Sequence, residues 1–315
     1  MADLRIFYTT DVHGSEKCFR KFVSTAKFYK ANVVILGGDI TGKMIVPVIE
    51  REPGNFTATY DGANLSASIT DVSGLESSIR NAGLYPYRTN ASELEELHAS
   101  PEKVDALFTQ LMVQSVESWM SILDENLKGM EVKCFITPGN DDRQAIDASV
   151  AKSAIAVNPE GRVIDIGGYE MLSTGYSNPT PWKTPRECSE EELAAKVETM
   201  AAQVKDMERC IFNLHCPPYD SGLDSAPKLD ENLKQVIQGG EIIMAPAGSV
   251  SVRKAIETHR PMLGLHGHIH ESRGSVKIGR TLCLNPGSEY NTGILRGLVV
   301  NLNNGKVKSY QLTSG

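Results

Sequence analysis

Five short runs of metal-ligating residues punctuate this chain. They are Asp11-Val12-His13, Gly38-Asp39, Gly139-Asn140-Asp141-Asp142, His215 and His266-Gly267-His268-Ile269-His270. Imidazole and oxygen donors without a thiolate suit manganese, iron or zinc rather than a soft-metal site. Asp39 offers two carboxylate oxygens and can bridge two cations, and Asn140 offers a neutral carbonyl oxygen that limits the charge of a cluster. Two ions about 3.5–4 Å apart clamp both oxygens of an in-line displacement and lower the pKa of a shared water. In an extended segment, Asp11-x-His13 and His268-x-His270 would each point two side chains the same way. Every piece has a plainer reading: a turn residue beside a surface histidine, Asp39 as a helix N-cap, His215 as a buried histidine ahead of Cys216-Pro217-Pro218. The ordered set is what resists that reading, because each run follows a strand-like segment.

Those segments are the elements that must position the ligands. Residues 4–9 and 33–36 are short apolar runs with β-branched and aromatic content, read as buried strands. Between them, apolar spacing over 19–29 predicts a helix, so 4–36 forms a βαβ unit with a right-handed crossover. Strands follow at 132–137, 210–214 and 262–265, and short strands run from 275 to the C-terminus. Residues 162–166 and 170–173 flank Gly167-Gly168 as a hairpin. Ser189-x-x-Glu192 is a capping box opening a helix over 189–208, and residues 250–259 form another helix. In an open α/β sheet, ligands bind outside the carboxyl ends of the strands. Five such ends would converge on one cleft.

Residues 43–97 break the alternation. Pro47 and Pro53-Gly54-Asn55 predict a hairpin over 44–60, Asp61-Gly62 a turn, 75–80 a short helix and 85–87 an extended piece. Ser92-x-x-Glu95 reads as a further capping box, and 101–127 as the longest helix. The whole stretch is expected to lie over the main sheet. No internal repeat or flexible linker is present, so the 315 residues are expected to form one domain, 1–315, interrupted by the 43–97 insertion.

Composition narrows the function classes. Apolar residues make up 41% and charged residues 23%, as in an ordinary globular chain. The net charge of −7 offers no footprint for long nucleic acid, which is not an expected partner. No run approaches the ~18 apolar residues of a membrane helix, so no membrane partner is expected. The start, Met1-Ala-Asp-Leu-Arg, has no leader features, and the six scattered cysteines are expected to be reduced in a cytoplasmic protein.

The ordered set resembles the calcineurin-like metallophosphoesterase superfamily. That family shows Asp-x-His, Gly-Asp, Gly-Asn-His-Asp or -Glu, a lone His and Gly-His-x-His in this order. The matches span Asp11 to about Ser288, the last being Asn285-Pro286-Gly287-Ser288. The resemblance implies an α/β fold, a metallophosphoesterase-type β-sandwich flanked by helices, here with an inserted hairpin and helical subdomain. It implies two divalent or trivalent ions (Mn, Fe or Zn), one on Asp11, His13, Asp39 and His270, the other on Asp39, Asn140, His215 and His268. The implied reaction is attack of a metal-bridging hydroxide on a phosphoester. Two departures stand out. Asp141 occupies the place of the third motif's histidine, which serves the leaving group. An aspartate is a poor acid at pH 7 unless its pKa is raised. This favours diesters or activated esters over alkyl monoesters. Asp142 fills the carboxylate place and would orient a ligand. The catalytic set is therefore expected to be Asn140, Asp141 and Asp142. The second departure is the 43–97 insertion, directly after the Asp39 loop, whose expected role is a cap, with a surface decoration or an oligomer contact as the alternative.

Arg143, Arg273 and Arg280 are candidate phosphate partners, with plain surface roles as the alternative, and Trp182 could stack on a nucleobase or cover core. His266 is expected in the core, His98 and His259 at the surface. The leading expectation is a phosphodiesterase acting on a small nucleotide or similar diester. A non-catalytic scaffold on the same fold and a protein phosphatase are the competing readings. The expected partner is a small phosphoester, and a homo-oligomer is left open.

Overall fold

Side-chain alternation along the strands builds four layers. A computed structural model describes residues 3–315. In the first strand, Leu4–Thr9, the side chains of Ile6 and Tyr8 join one core and that of Phe7 another. The same split divides Val33 and Ile35 from Val34 and Leu36, and Phe135 from Cys134 and Ile136. Residues two apart share a sheet face, so strands buried on both sides read as continuous apolar runs.

The first sheet has the order Lys306–Ser314, Arg296–Asn303, Leu4–Thr9, Val33–Leu36, Lys133–Ile136, Ala156–Val157. The second runs Gly274–Ile278, Thr281–Asn285, Leu263–Leu265, Ile211–Leu214, Glu170–Thr174, Arg162–Asp165. Ile6, Tyr8, Ile35, Met171, Leu263 and Leu284 fill the space between them. Helices Glu16–Phe28 and Pro101–Leu127 cover the outer face of the first sheet, where Phe19 stacks on Trp119 with ring centroids 4.3 Å apart. Helices Glu190–Ala201 and Val250–His259 cover the outer face of the second through Leu193, Val197, Val252 and Ile256. This is the expected β-sandwich flanked by helices. Ser189 and Glu192 form the expected capping box. No described helix is long and apolar enough to cross a membrane.

Within each sheet the central strands are parallel: Leu4–Thr9, Val33–Leu36 and Lys133–Ile136 in one, Glu170–Thr174, Ile211–Leu214, Leu263–Leu265 and Thr281–Asn285 in the other. Their carboxyl ends meet along one edge of the sandwich.

Residues 45–90 form a separate four-stranded sheet, ordered Ala63–Ser68, Asn55–Tyr60, Ile45–Glu52, Tyr85–Asn90. Helix Val72–Asn81 closes over it, and Val46, Val48, Phe56, Leu75 and Ile79 make its own core. The hairpin expectation was too small. Ala63–Ser68 lacks β-branched residues and gives no strand signal, and Tyr85–Asn90 pairs parallel to Ile45–Glu52 through the helix. The helix Ala91–His98 is capped by Asn90, whose side chain accepts from the Glu93 amide at 3.0 Å, and not by Ser92. Pro101–Leu127 lies over the main sheet as expected, burying Met112, Val116, Trp119 and Leu123.

One element had no sequence signal. Between His215 and helix Val250–His259 the chain makes an arm of very short strands. Ser225–Pro227 pairs with Met244–Pro246, and Ile237–Gln238 with Glu241–Ile242. Leu233, Ile237, Ile242 and Met244 on it are exposed.

Candidate functional site

The parallel strands deliver the ligand runs to the shared edge. Asp11, His13, Asp39 and Asn140 come from loops of the first sheet, and His215, His268 and His270 from loops of the second. His13 Nε2 and His270 Nε2 lie 3.0 Å apart, with Asp11 Oδ1 3.4 Å from His270 Nε2. His215 Nε2 and His268 Nδ1 both approach Asn140 Oδ1, at 3.1 and 2.7 Å. Asp39 Oδ2 sits between the groups, 3.5 Å from His13 Nε2 and 3.4 Å from His215 Nε2. Three groups could hold a metal ion: Asp11, His13 and His270; Asp39, His215 and His268; and, overlapping both, His13, Asp39 and Asp141. The donor set fits metal ions: imidazole nitrogens and carboxylate oxygens from five loops converge, with His13 Nε2 facing His270 Nε2 at 3.0 Å, and no thiolate is among them. All seven expected ligands are thus brought together.

The local backbone departs from the extended picture. Asp11, His13, Asp39 and His268 all have positive φ, 54°, 39°, 50° and 68°. Such conformations cost a non-glycine residue about 1–2 kcal/mol each and persist only where the surroundings fix them. Turns, not strand alternation, aim these side chains. Hence Asp11 and His13 share a group while His268 and His270 divide between two. Glycine is needed where the loops touch: a Cβ on Gly139 would land on the Asp39 amide and carboxylate.

The supporting contacts explain why the turns hold. Asp142, expected among the catalytic residues, is fully buried behind the ligands. It accepts hydrogen bonds from the amides of Ile40 (2.9 Å), Thr41 (2.9 Å) and Gly139 (2.7 Å) and from the Thr41 hydroxyl (2.6 Å). It positions the Asp39 loop and does not face the cleft. Arg186, which no sequence argument singled out, is also buried and donates to the Asp142 carbonyl at 2.8 Å and to Asp147 at 2.7 Å. Asn285 donates to the carbonyls of Gly267 (3.2 Å) and Ile269 (3.1 Å), on either side of His268, and the Ser288 hydroxyl donates to the Asp11 carbonyl at 2.6 Å. The late Asn-Pro-Gly-Ser run therefore braces the ligand loops. His266 is core, with Nδ1 2.9 Å from the Leu214 carbonyl.

Electrostatics favours the ligand form of the two carboxylates and of His13 and His268. It opposes that form at His215 and His270, whose rings the neighbouring carboxylates hold protonated against their burial until an ion displaces the proton. Burial pushes His13 down to about 3 and His268 to about 4, which keeps both imidazoles neutral. Burial alone would raise Asp11, but the His270 hydrogen bond and the His215 charge bring it to about 2. Asp39 likewise falls well below the carboxylate range against its burial, through His215 and His13. Burial would lower His215, yet Asp39 and Asp11 lift it to about 10.

Asp141 stands at the mouth of the site. Its amide donates to Asp39 Oδ1 at 3.0 Å, and its carboxylate lies 3.7 Å from His13 Nδ1 and 2.8 Å from Lys43 Nζ. Burial and the Asp39 charge raise it to about 6, against the pull of Lys43. Lys43 has no signal in the sequence, since a lone lysine after a turn carries no pattern. Arg143 and Arg280 are committed elsewhere, to Asp105 and Glu208 at 2.6 Å each. Arg273 donates to the Thr313 carbonyl at 3.3 Å and lines a smaller polar cavity beside His270. His98 is exposed, whereas His259 is partly buried against Glu198 at 2.8 Å.

From the ligands a cavity of about 1170 Å³ opens outward. Its walls come from the loop 178–185, the 225–246 arm and the long helix, through Trp182, Pro227, Pro246 and Phe108 among others. Lys43 is the contribution of the 43–97 insertion to this lining, among the described residues. Trp182 is 65% exposed and covers no core.

No family model matches the chain. The uncharacterized protein MJ1162 of Methanocaldococcus jannaschii is 34% identical over 160 residues, half of this chain and 64% of that protein. The chain thus spans less than two thirds of the curated relative it matches. The solved structure of TT1561 of Thermus thermophilus aligns over 100% of this chain and 99% of its own, at 15% identity and a TM-score of 0.54. An archaeal phosphodiesterase aligns over 99% of this chain and 100% of its own, at 12% identity and a TM-score of 0.39. The likeness to TT1561 is one of fold, and the two sheets flanked by helices are the architecture that the motif resemblance implies.

Proposed function

We propose that this chain is a metal-dependent phosphoester hydrolase, and specifically a phosphodiesterase for a small nucleotide or similar diester. The observation that carries the reading is Asp39 Oδ2 between His13 and His215, joining two ligand groups into one centre. Asp11, His13, Asp39 and His270 would hold one ion, and Asp39, Asn140, His215 and His268 the other. Such ions supply a nucleophile at neutral pH and neutralise phosphoryl charge. Manganese, iron or zinc suits these donors. The chain's own residues do the rest. Burial keeps His13 and His268 neutral for ligation, Asn140 keeps the charge of its group low, and Asp142 fixes the Asp39 loop. The cavity beyond is far larger than a phosphate and has aromatic and proline walls, which supports a substrate with a sizeable organic group. An aspartate at position 141 supports esters whose leaving group needs little protonation.

The cytoplasm is the compartment that suits this reading, and none of the six cysteines is in a disulfide. Residues 43–97 enter the proposal as the element that frames the cleft at its Lys43 end. The test is hydrolysis of bis-p-nitrophenyl phosphate by chelator-stripped protein before and after manganese. Restored turnover supports the reading. No turnover with manganese, iron or zinc in folded protein would move the assignment to a non-catalytic scaffold.

A further inference from the structure

Lys43 is held more carefully than a surface lysine needs. Its loop is pinned from two directions. Asp142 binds the amides of Ile40 and Thr41, and the Tyr85 hydroxyl, from the inserted sheet, accepts the Gly42 amide at 2.8 Å. The tethered Lys43 ammonium then lies 2.8 Å from Asp141, whose own amide is bonded to Asp39. Lys43, Asp39, Asn140, Asp141, His268 and His270 all line the same cavity. Arg143 and Arg280 pair with Asp105 and Glu208, and Arg273 lines the smaller cavity beside His270, not the one that holds Lys43. An isolated half-exposed ion pair is worth little in stability, ~0–1 kcal/mol, so stability does not account for a Lys43–Asp141 pair set at the mouth of the ligand cluster.

We infer that Lys43 is an anion-contact residue of the site: its ammonium donates a hydrogen bond to a substrate phosphoryl oxygen, and Asp141 is the counter-ion it leaves or shares when substrate arrives. This rests on the phosphoester reading of the same centre. No proton is transferred and no covalent bond is made by Lys43. The contact gathers strength as negative charge builds on the phosphoryl oxygens. It also gives the insertion a function at the site, since the Tyr85 hydrogen bond sets the loop that carries the ammonium.

The probe is inorganic phosphate, titrated calorimetrically into manganese-loaded protein. Lys43→Met is expected to weaken phosphate binding at least tenfold and to lower kcat/KM for bis-p-nitrophenyl phosphate about 100-fold. Lys43→Arg should stay within about threefold of the parent in phosphate affinity. Asp141→Asn, which frees the ammonium, should tighten phosphate binding. Manganese content and melting temperature are measured on each variant, so that loss of ions or fold is seen directly. Opposite signs for the Lys43 and Asp141 variants are the signature; a merely structural ion pair would move both the same way. Unchanged phosphate affinity in Lys43→Met, shifts of the same sign in both variants, or no phosphate binding by the parent protein would overturn the inference. Parent protein that binds phosphate through Lys43 but turns nothing over would sink the hydrolase reading and leave Lys43 as an anion site. Turnover with Lys43-independent phosphate binding would do the reverse.

Discussion

The floor and the roof of the cleft are built on opposite principles. The floor is buried, set at the ends of paired strands, and locked by side chains that carry no ligand role, such as Asp142, Arg186 and Asn285. The roof is the 178–185 loop and the 225–246 arm, with strands of two or three residues and exposed apolar side chains. A rigid scaffold that presents variable loops is how one fold serves many substrates. On the proposed function, chemistry falls to the floor and selection to the roof, and each assignment can be broken separately.

The largest effect is expected from the floor's shared ligand. Asp39→Ala should lower manganese-dependent turnover by at least ~10³-fold and reduce bound manganese, because ion-derived stabilisation is worth several kcal/mol. Metal analysis alongside kinetics checks it; a fully active variant would remove Asp39 from the centre. Next comes the brace. Asp142→Ala leaves three buried amides and a hydroxyl without their acceptor, so denaturant unfolding should show a loss of about 3 kcal/mol or more. Manganese affinity should fall about 10–100-fold, although Asp142 touches no ion. The roof should respond differently. Trp182→Ala is expected to raise KM for an aromatic diester about five- to tenfold with kcat nearly constant and melting temperature unchanged. A fall in kcat with KM constant would instead place Trp182 with the floor.

The smallest effect separates the site from the scaffold around it. Glu160, bonded to the Thr174 hydroxyl and Gly175 amide at 2.8 and 2.7 Å, is raised above its ordinary value of 4.5 by burial. The folded chain therefore holds this proton more tightly than the unfolded chain. Its stabilising contribution is complete below about pH 4.5 and is lost as pH rises through the folded value. Relative to Glu160→Gln, the parent protein should lose melting temperature over that interval, with manganese-dependent kcat unaffected. A constant difference across pH would refute it.

The floor was legible in the sequence and the roof was not, for physical reasons. Ligand residues such as Asp11, His215 and His268 must follow strands, and strands buried on both faces announce themselves as apolar runs. The close approaches at Gly139 and Gly38 require glycine, which sharpens each motif. Asp142 was visible as a carboxylate that would orient a ligand, and the backbone amides through which it does so needed the three-dimensional contacts. The arm gave no signal because its strands are too short for any period to show. Ala63–Ser68 is a strand through its partner Asn55–Tyr60 alone. Lys43 is one of many charged residues until the loop holding it is seen.

The ligand groups draw on both sheets at once, and this has a consequence for assembly. Residues 11 to 140 feed one side of the seam and residues 215 to 270 the other, and the His268 amide crosses it to bond the Asp11 carboxylate at 3.1 Å. An unfolded chain keeps these donors scattered over some 260 positions, so it cannot present the centre; neither half of the sandwich can present it alone. An ion that recognises the assembled set is therefore a rivet as well as a reagent. At 100 times its dissociation constant it would add about 2.7 kcal/mol to the folded state. On the proposed function, removing the ion would lower the melting temperature of a sandwich whose sheets the apolar core between them still holds together.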